Sequence, residues 1–236
     1  MDNNNQNYAE NKTFTKIDII KILENNNIDC EIIDFKYYHF KKIFIKIYEN
    51  KEYFFLKLCL NKYSINLSKN EEKGYLFFNR NKSQKFNLPS YKKININDNY
   101  ALSKIEFING KKGNFFEFKK FYNVDFSENL KQITFNDYIN KILNKLPKNK
   151  NQNIKLSKII NILLARYDSL LIPLEASHGD FINFNSLKTS NKNYVFDLEF
   201  FDKERIQFYD YFHWYVGPII YNSIKYTNIF NFNKKI

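Results

Sequence analysis

Residues 31–60 hold three consecutive segments, EIIDFKYY at 31–38, KIFIKIY at 42–48 and EYFFLKLCL at 52–60, in which β-branched and aromatic side chains dominate. Such residues fit a pleated, half-buried surface. The polar turn Glu49-Asn50-Lys51 separates the last two, and a connection that short joins only antiparallel neighbours, since a parallel pair needs a crossover of about a dozen residues or more. An antiparallel meander is therefore expected in the first third of the chain.

The surrounding pattern extends this frame. Residues 1–14 lack periodicity and are read as a flexible tail. Thr15 is a candidate cap for a helix with Ile17, Ile20 and Leu23 on one face, ending in the Asn25–Asn27 run. Helical periodicity returns over 67–78, and two further strands are expected at 91–96 and 101–108. The stretch NGKKGN at 109–114 is read as a hinge. Beyond it helices dominate: one opened by Thr134 and Asp137 and stopped by Pro147, one over about 154–171, and a C-terminal helical region interrupted at Gly217-Pro218. Strands first and helices second predict an α+β chain in two lobes, with 15–108 as the N-terminal lobe and 115–236 as the C-terminal lobe.

Composition narrows the functional classes. Aromatic residues make up 19% of the chain, so it has the apolar bulk that a disordered polymer lacks. With Gly 5 and Pro 4 there is no Walker A loop. Cys30 and Cys59 form no disulfide framework and suit reduced packing residues in a cytoplasmic protein. No apolar run reaches the length of a membrane span, and the polar N-terminus is unlike a signal peptide. A net charge of +12 favours anionic partners.

The chemistry concentrates in His178-Gly179-Asp180-Phe181-Ile182-Asn183-Phe184-Asn185 and Val195-Phe196-Asp197-Leu198-Glu199. Phosphoryl transfer needs a carboxylate beside the accepting hydroxyl and hard oxygen ligands for a magnesium ion on the nucleotide phosphates. Asp180 and Asn185 have the spacing of the kinase catalytic-loop Asp and Asn, and Asp197 follows where a hairpin returns a second carboxylate. These residues resemble the aminoglycoside phosphotransferase and choline kinase-like families of the protein-kinase-like fold, whose loop reads H-G-D-x-x-x-x-N. With FYDYFHW at 208–214, the pattern is most similar to a bacterial branch associated with surface polysaccharide synthesis.

The resemblance implies an ATP- and Mg²⁺-dependent kinase acting on a hydroxyl. It makes Asp180 the catalytic base, His178 the residue bracing the loop, Asn185 and Asp197 metal ligands, and Glu199 a further acidic group at the metal. It also matches Lys57, a single charge in FFLKLCL, to the cation on the nucleotide phosphates, and Glu71 or Glu72 to its acidic partner, Glu71 in the better register. The adenine is expected at the backbone of Glu106 to Ile108. The turn near His39-Phe40-Lys41 lacks the glycine-rich pattern of protein kinases.

A small-molecule or glycan hydroxyl is the expected acceptor, because too little chain separates Asp197 from Asp210 for a peptide-binding activation segment. Lys111, Lys112, Lys119 and Lys120 suit an anionic or lipid-linked glycan precursor. The chain ends soon after Trp214, so a small or open acceptor pocket is expected, or one completed by a protein partner or by peripheral contact with a membrane. Two other readings are a nucleotide-binding scaffold without catalysis and a basic nucleic-acid-binding protein. The second is weakened by aromatics that core packing already explains, and no specific nucleic acid is expected.

Overall fold

The computed structural model describes residues 14–38, 41–81, 86–123, 130–144 and 150–232. The tail expected at 1–14 lies outside them except for Phe14, which packs on a buried apolar cluster. His39, Phe40 and Pro147 also lie outside. The chain divides into two compact units, one comprising residues up to Lys69 with Ser90–Phe107, the other Asn70–Pro89 with Ile108 onward.

The first unit begins with helix α1 (Lys16–Asn25). Thr15 and Asp18 cap it reciprocally, each side chain taking up a backbone N–H of the other residue. Strands β1 (Glu31–Tyr38), β2 (Lys42–Glu49) and β3 (Glu52–Cys59) follow, then helix α2 (Lys62–Arg80), β4 (Tyr91–Ile96) and β5 (Ala101–Glu106). The five strands form one antiparallel sheet in the order β1-β2-β3-β5-β4. Ile43, Ile45 and Ile47 alternate on β2 and are wholly buried against Leu56, Leu58 and Leu102, as a sheet with one covered face requires. The face of α1 in this core carries Ile19 and Leu23, an i, i+4 pair. Ile17, expected on that face, is mostly exposed. Helix α2 starts earlier than its periodicity suggests because Asn61 caps it, its Oδ1 accepting from Ser64 N–H at 2.7 Å.

The second unit contains the end of α2, β6 (Lys111–Lys112), a 3₁₀ turn at Phe115–Glu117, α3 (Phe118–Phe121), β7 (Gln132–Thr134), α4 (Phe135–Leu143), α5 (Lys150–Tyr167) and β8 (Leu171–Ser177). After a second 3₁₀ turn, Asn183–Asn185, come β9 (Ser186–Lys188) and β10 (Asn193–Val195). A third, Leu198–Phe200, precedes β11 (Asp202–Ile206) and α6 (Tyr209–Phe232). Two three-stranded sheets result, β10-β9-β6 and β11-β8-β7. Lys111 and Lys112 pair with Lys188 and Leu187, so part of the 109–114 stretch read as a hinge is sheet. Thr134 caps α4, accepting from Asp137 N–H at 3.1 Å. The region expected to break at Gly217-Pro218 is instead one continuous helix with Pro218 inside it. No helix among the described residues is long and apolar enough to cross a membrane.

Candidate active site

Strand β8 delivers the loop His178–Asp180, and α6 fixes it from its first turn. Asp210 Oδ2 accepts from His178 N–H at 2.7 Å, and Oδ1 accepts from Gly179 N–H at 3.0 Å. A carboxylate bridging two consecutive amides leaves the loop backbone one orientation. Tyr122 also hydrogen-bonds Asp210, and burial is the main cause pushing its phenol far above the ordinary range. On the other side Arg205 donates to the carbonyl oxygens of Gly179 and Phe200 at 3.2 and 3.1 Å.

Gly179 has φ +89°, and a Cβ there would lie 1.9 Å from the carbonyl oxygen of Phe200. Both conformation and space exclude a side chain. Gly179→Ala is therefore expected to destabilise the protein by more than about 1–3 kcal/mol, the range of backbone strain alone. Urea unfolding checks this, and an unchanged midpoint would refute it.

His178 is fully buried. Its Nδ1 faces the N–H of Asp180 at 3.2 Å and must accept, so Nε2, 2.8 Å from the Phe196 carbonyl, carries the proton and donates. The ring thus ties the loop to the residue before Asp197. Asn185 closes the loop from its 3₁₀ turn: Nδ2 donates to the carbonyl and to Oδ2 of Asp180, at 2.9 and 3.1 Å. This assigns the amide orientation, so Oδ1 is the atom able to face a cation. Phe196 N–H donates to the Asn185 carbonyl at 3.1 Å, holding the two motif halves together.

Asp180 is itself partly exposed. Burial raises its carboxyl above the usual carboxylate range, and neighbouring Asp197 acts in the same direction. His213, from the first turns of α6, places Nε2 3.8 Å from Asp180 Oδ1.

Asp197 adopts a left-handed backbone, φ 68° and ψ 59°, and its carboxylate lies with those of Glu71 and Glu199. One oxygen from each falls within 4.8 Å of the others. Glu71 and Glu199 are almost completely buried. Asn70 creates this meeting: its Nδ2 donates to the carbonyls of Glu199 and Phe201, both at 2.8 Å, anchoring the α2 residue next to Glu71. Three converging carboxylates form a hard-oxygen set suited to a divalent cation. Glu72 is only half-buried and outside the trio.

The remaining expected residues are placed as follows. Lys57 lies on β3 in the first unit, buried, with its ammonium 5.5 Å from the centroid of the Phe44 ring. Glu106 ends β5; its N–H donates to the Ser90 carbonyl at 3.0 Å, and its Oε2 accepts from Ser90 N–H at 2.9 Å. Ile108 is half-buried at the start of the second unit's long segment.

Asp180 and His213 both face a cavity of about 1110 Å³ within the second unit. Its wall is largely apolar, with Ile182, Phe184, Phe212, Val216 and Ile220 prominent. Lys111, Lys112, Lys119 and Lys120, expected to favour an anionic acceptor, do not line it. Sequence reasoning singled out neither His213 nor Arg205, Tyr122 and Asn70. For His213 a signal existed in FYDYFHW, four residues from one wall position and three from Asp210.

No family model and no curated protein matches the chain. Solved structures do. A thermostable mutant of aminoglycoside phosphotransferase APH(4)-Ia in its apo form aligns over 80% of this chain and 73% of its own, with 10% identity and a TM-score of 0.51. Another structure of APH(4)-Ia aligns over 79% and 72%, with 11% identity and a TM-score of 0.49. The amicoumacin kinase hAmiN, in complex with AMP-PNP, Ca²⁺ and its ligand Ami, aligns over 85% and 68%, with 13% identity and a TM-score of 0.47. At such identity the first likeness concerns the fold, which is the kinase-like α+β fold expected from the residue pattern.

Proposed function

We propose that the chain is a phosphotransferase that moves the γ-phosphoryl group of ATP to a hydroxyl of a small molecule or glycan precursor. The observation carrying this reading is the placement of Asp180. Its carboxylate opens on a cavity, is held by Asn185 and neighbours Asp197, a member of a carboxylate trio.

Asp180 orients the acceptor hydroxyl and takes its proton as the new O–P bond forms, in a loose transition state that asks more of positioning than of base strength. His178, Gly179 and Asp210 contribute rigidity, so the carboxylate needs little reorganisation. His213 bounds the opposite side of Asp180. A magnesium ion held by Asp197, Glu199, Glu71 and Asn185 Oδ1 would neutralise phosphate charge. In this reading Lys57 supplies the cation for the nucleotide phosphates, with the adenine against the backbone of Glu106 to Ile108.

The test is a thermal-shift titration with Mg-ATP, followed by measurement of ADP release with a panel of hydroxyl acceptors. A ligand that binds only the native state raises the melting temperature by mass action. The parent is expected to shift at millimolar nucleotide, and Lys57→Ala and Asp197→Ala to shift much less, the latter with a weakened dependence on Mg²⁺. Absence of any shift in the parent would sink the proposal.

A further inference from the structure

The cavity beside Asp180 does not match the charge of the protein around it. The chain carries a net charge of +12, yet no lysine or arginine is among the cavity-lining residues described. Two cations are recorded against aromatic rings of its wall, and neither is itself among the described lining residues. The Arg205 guanidinium lies 4.3 Å from the Tyr209 ring centroid and is committed to the Gly179 and Phe200 carbonyls. The Lys112 ammonium lies 5.4 Å from the ring centroid of Phe184. Among the described lining residues, Asp180 and His213 are thus the only ionisable groups apart from the Tyr209 phenol. A phosphorylated or carboxylated body seated here would meet the Asp180 carboxylate with no lysine or arginine among the described lining residues, an unfavourable desolvation.

The apolar part of the wall is organised. Phe212, Val216 and Ile220 recur at every fourth position of α6, which stacks them on one face. At the helical rise, this track is about 12 Å long. All three are exposed, as is Phe184 across the loop that carries Asp180. Large apolar side chains grouped around one functional carboxylate mark a binding surface, unlike scattered exposed leucines.

We propose that the cavity binds an alcohol carried on an apolar body, without phosphate or carboxylate, its hydrocarbon or aromatic part lying along the 212-216-220 track and its hydroxyl at Asp180. This deepens the phosphotransferase reading by naming the acceptor class, and it rests on that reading for the word acceptor. Of the acceptors considered from sequence, it favours the lipid-linked kind over the anionic one.

The probe is n-octyl β-glucoside, kept below its micelle-forming concentration, compared by calorimetry with glucose and glucose 6-phosphate on the full chain. The sugar hydroxyls are shared, so the comparison isolates the tail and the charge. Octyl glucoside is expected to bind saturably and at least about tenfold more tightly than glucose, the gain from burying roughly two methylenes. Glucose 6-phosphate should bind no better than glucose. Val216→Asp should remove the octyl advantage and Val216→Leu should keep it; Val216 is exposed, so a far-UV spectrum matching the parent is expected of both variants.

Tighter binding of glucose 6-phosphate, equal binding of glucose and octyl glucoside, or full octyl binding by Val216→Asp would each overturn the proposal. So would sedimentation with neutral phosphatidylcholine vesicles without binding of monomeric octyl glucoside, which would mark the track as a membrane-docking face. Binding with no ADP release would support the ligand class and count against phosphoryl transfer. ADP release on glucose 6-phosphate with no octyl binding would do the reverse.

Discussion

Asp180→Asn is expected to abolish phosphoryl transfer while leaving the protein at least as stable as the parent at neutral pH. The asparagine keeps the shape and an oxygen that accepts from Asn185 Nδ2, now 3.1 Å from the carboxylate, but cannot take the acceptor's proton. Loss of a positioned base costs about 10²–10⁴-fold in rate. The stability effect follows from the direction of the pKa shift. Burial raises the Asp180 carboxyl in the folded state above its unfolded value, so ionisation opposes folding. That penalty is fully present above the folded pKa and disappears as pH falls toward the unfolded one. The variant never pays it, and its advantage should shrink on acidification. Urea midpoints at neutral and mildly acidic pH, with ADP release on any responsive acceptor, measure both effects. Parental turnover in the variant would reject Asp180 as the base; a clear loss of stability at neutral pH would reject the account of its burial.

Asp210→Ala should produce the largest stability loss. It strips the acceptor from two buried amides, those of His178 and Gly179, and from Tyr122. Each buried donor left without an acceptor costs about 1–3 kcal/mol, so the two amides alone account for about 2–6 kcal/mol. That is a large part of the roughly 5–15 kcal/mol by which domains are stable. Asp210→Asn should not restore the parent, since its amide group sets a donor against one backbone N–H. Thermal unfolding checks this, and an alanine variant melting within a degree or two of the parent would show that water or another group serves these amides.

The first unit's meander was legible because its determinants are local. Ile43, Ile45 and Ile47 alternate, and Glu49-Asn50-Lys51 leaves room only for a reversal. The HGDFINFN and FDLE segments were legible as one constellation because β9 and β10 return the chain within a few residues. The β11-β8-β7 sheet was not foreseen. Its central strand contains Pro173 and Glu175, and its edge strand is the charged DKERI; here pairing overrides propensity. Glu71 stands out in the sequence as a candidate partner for Lys57; its meeting with Asp197 and Glu199 depends on Asn70 reaching across 129 positions to Glu199. No local pattern encodes such a meeting. The face of α1 was misjudged for a simpler reason: Ile17, Ile19, Ile20 and Leu23 offer two overlapping apolar stripes, and only the sheet decides between them.

The first turn of helix α6 holds Asp210, which is wholly enclosed, and the helix continues into Phe212, Val216 and Ile220, which are not. Substitutions at the enclosed position disturb the loop that carries Asp180, whereas those at the open positions leave the core intact. On the proposed reading of the cavity, descent with modification can rewrite its lining by single changes along one helix that spare the buried core. Diversity within a lineage of such chains should accumulate at 212, 216 and 220 and stay scarce at 210.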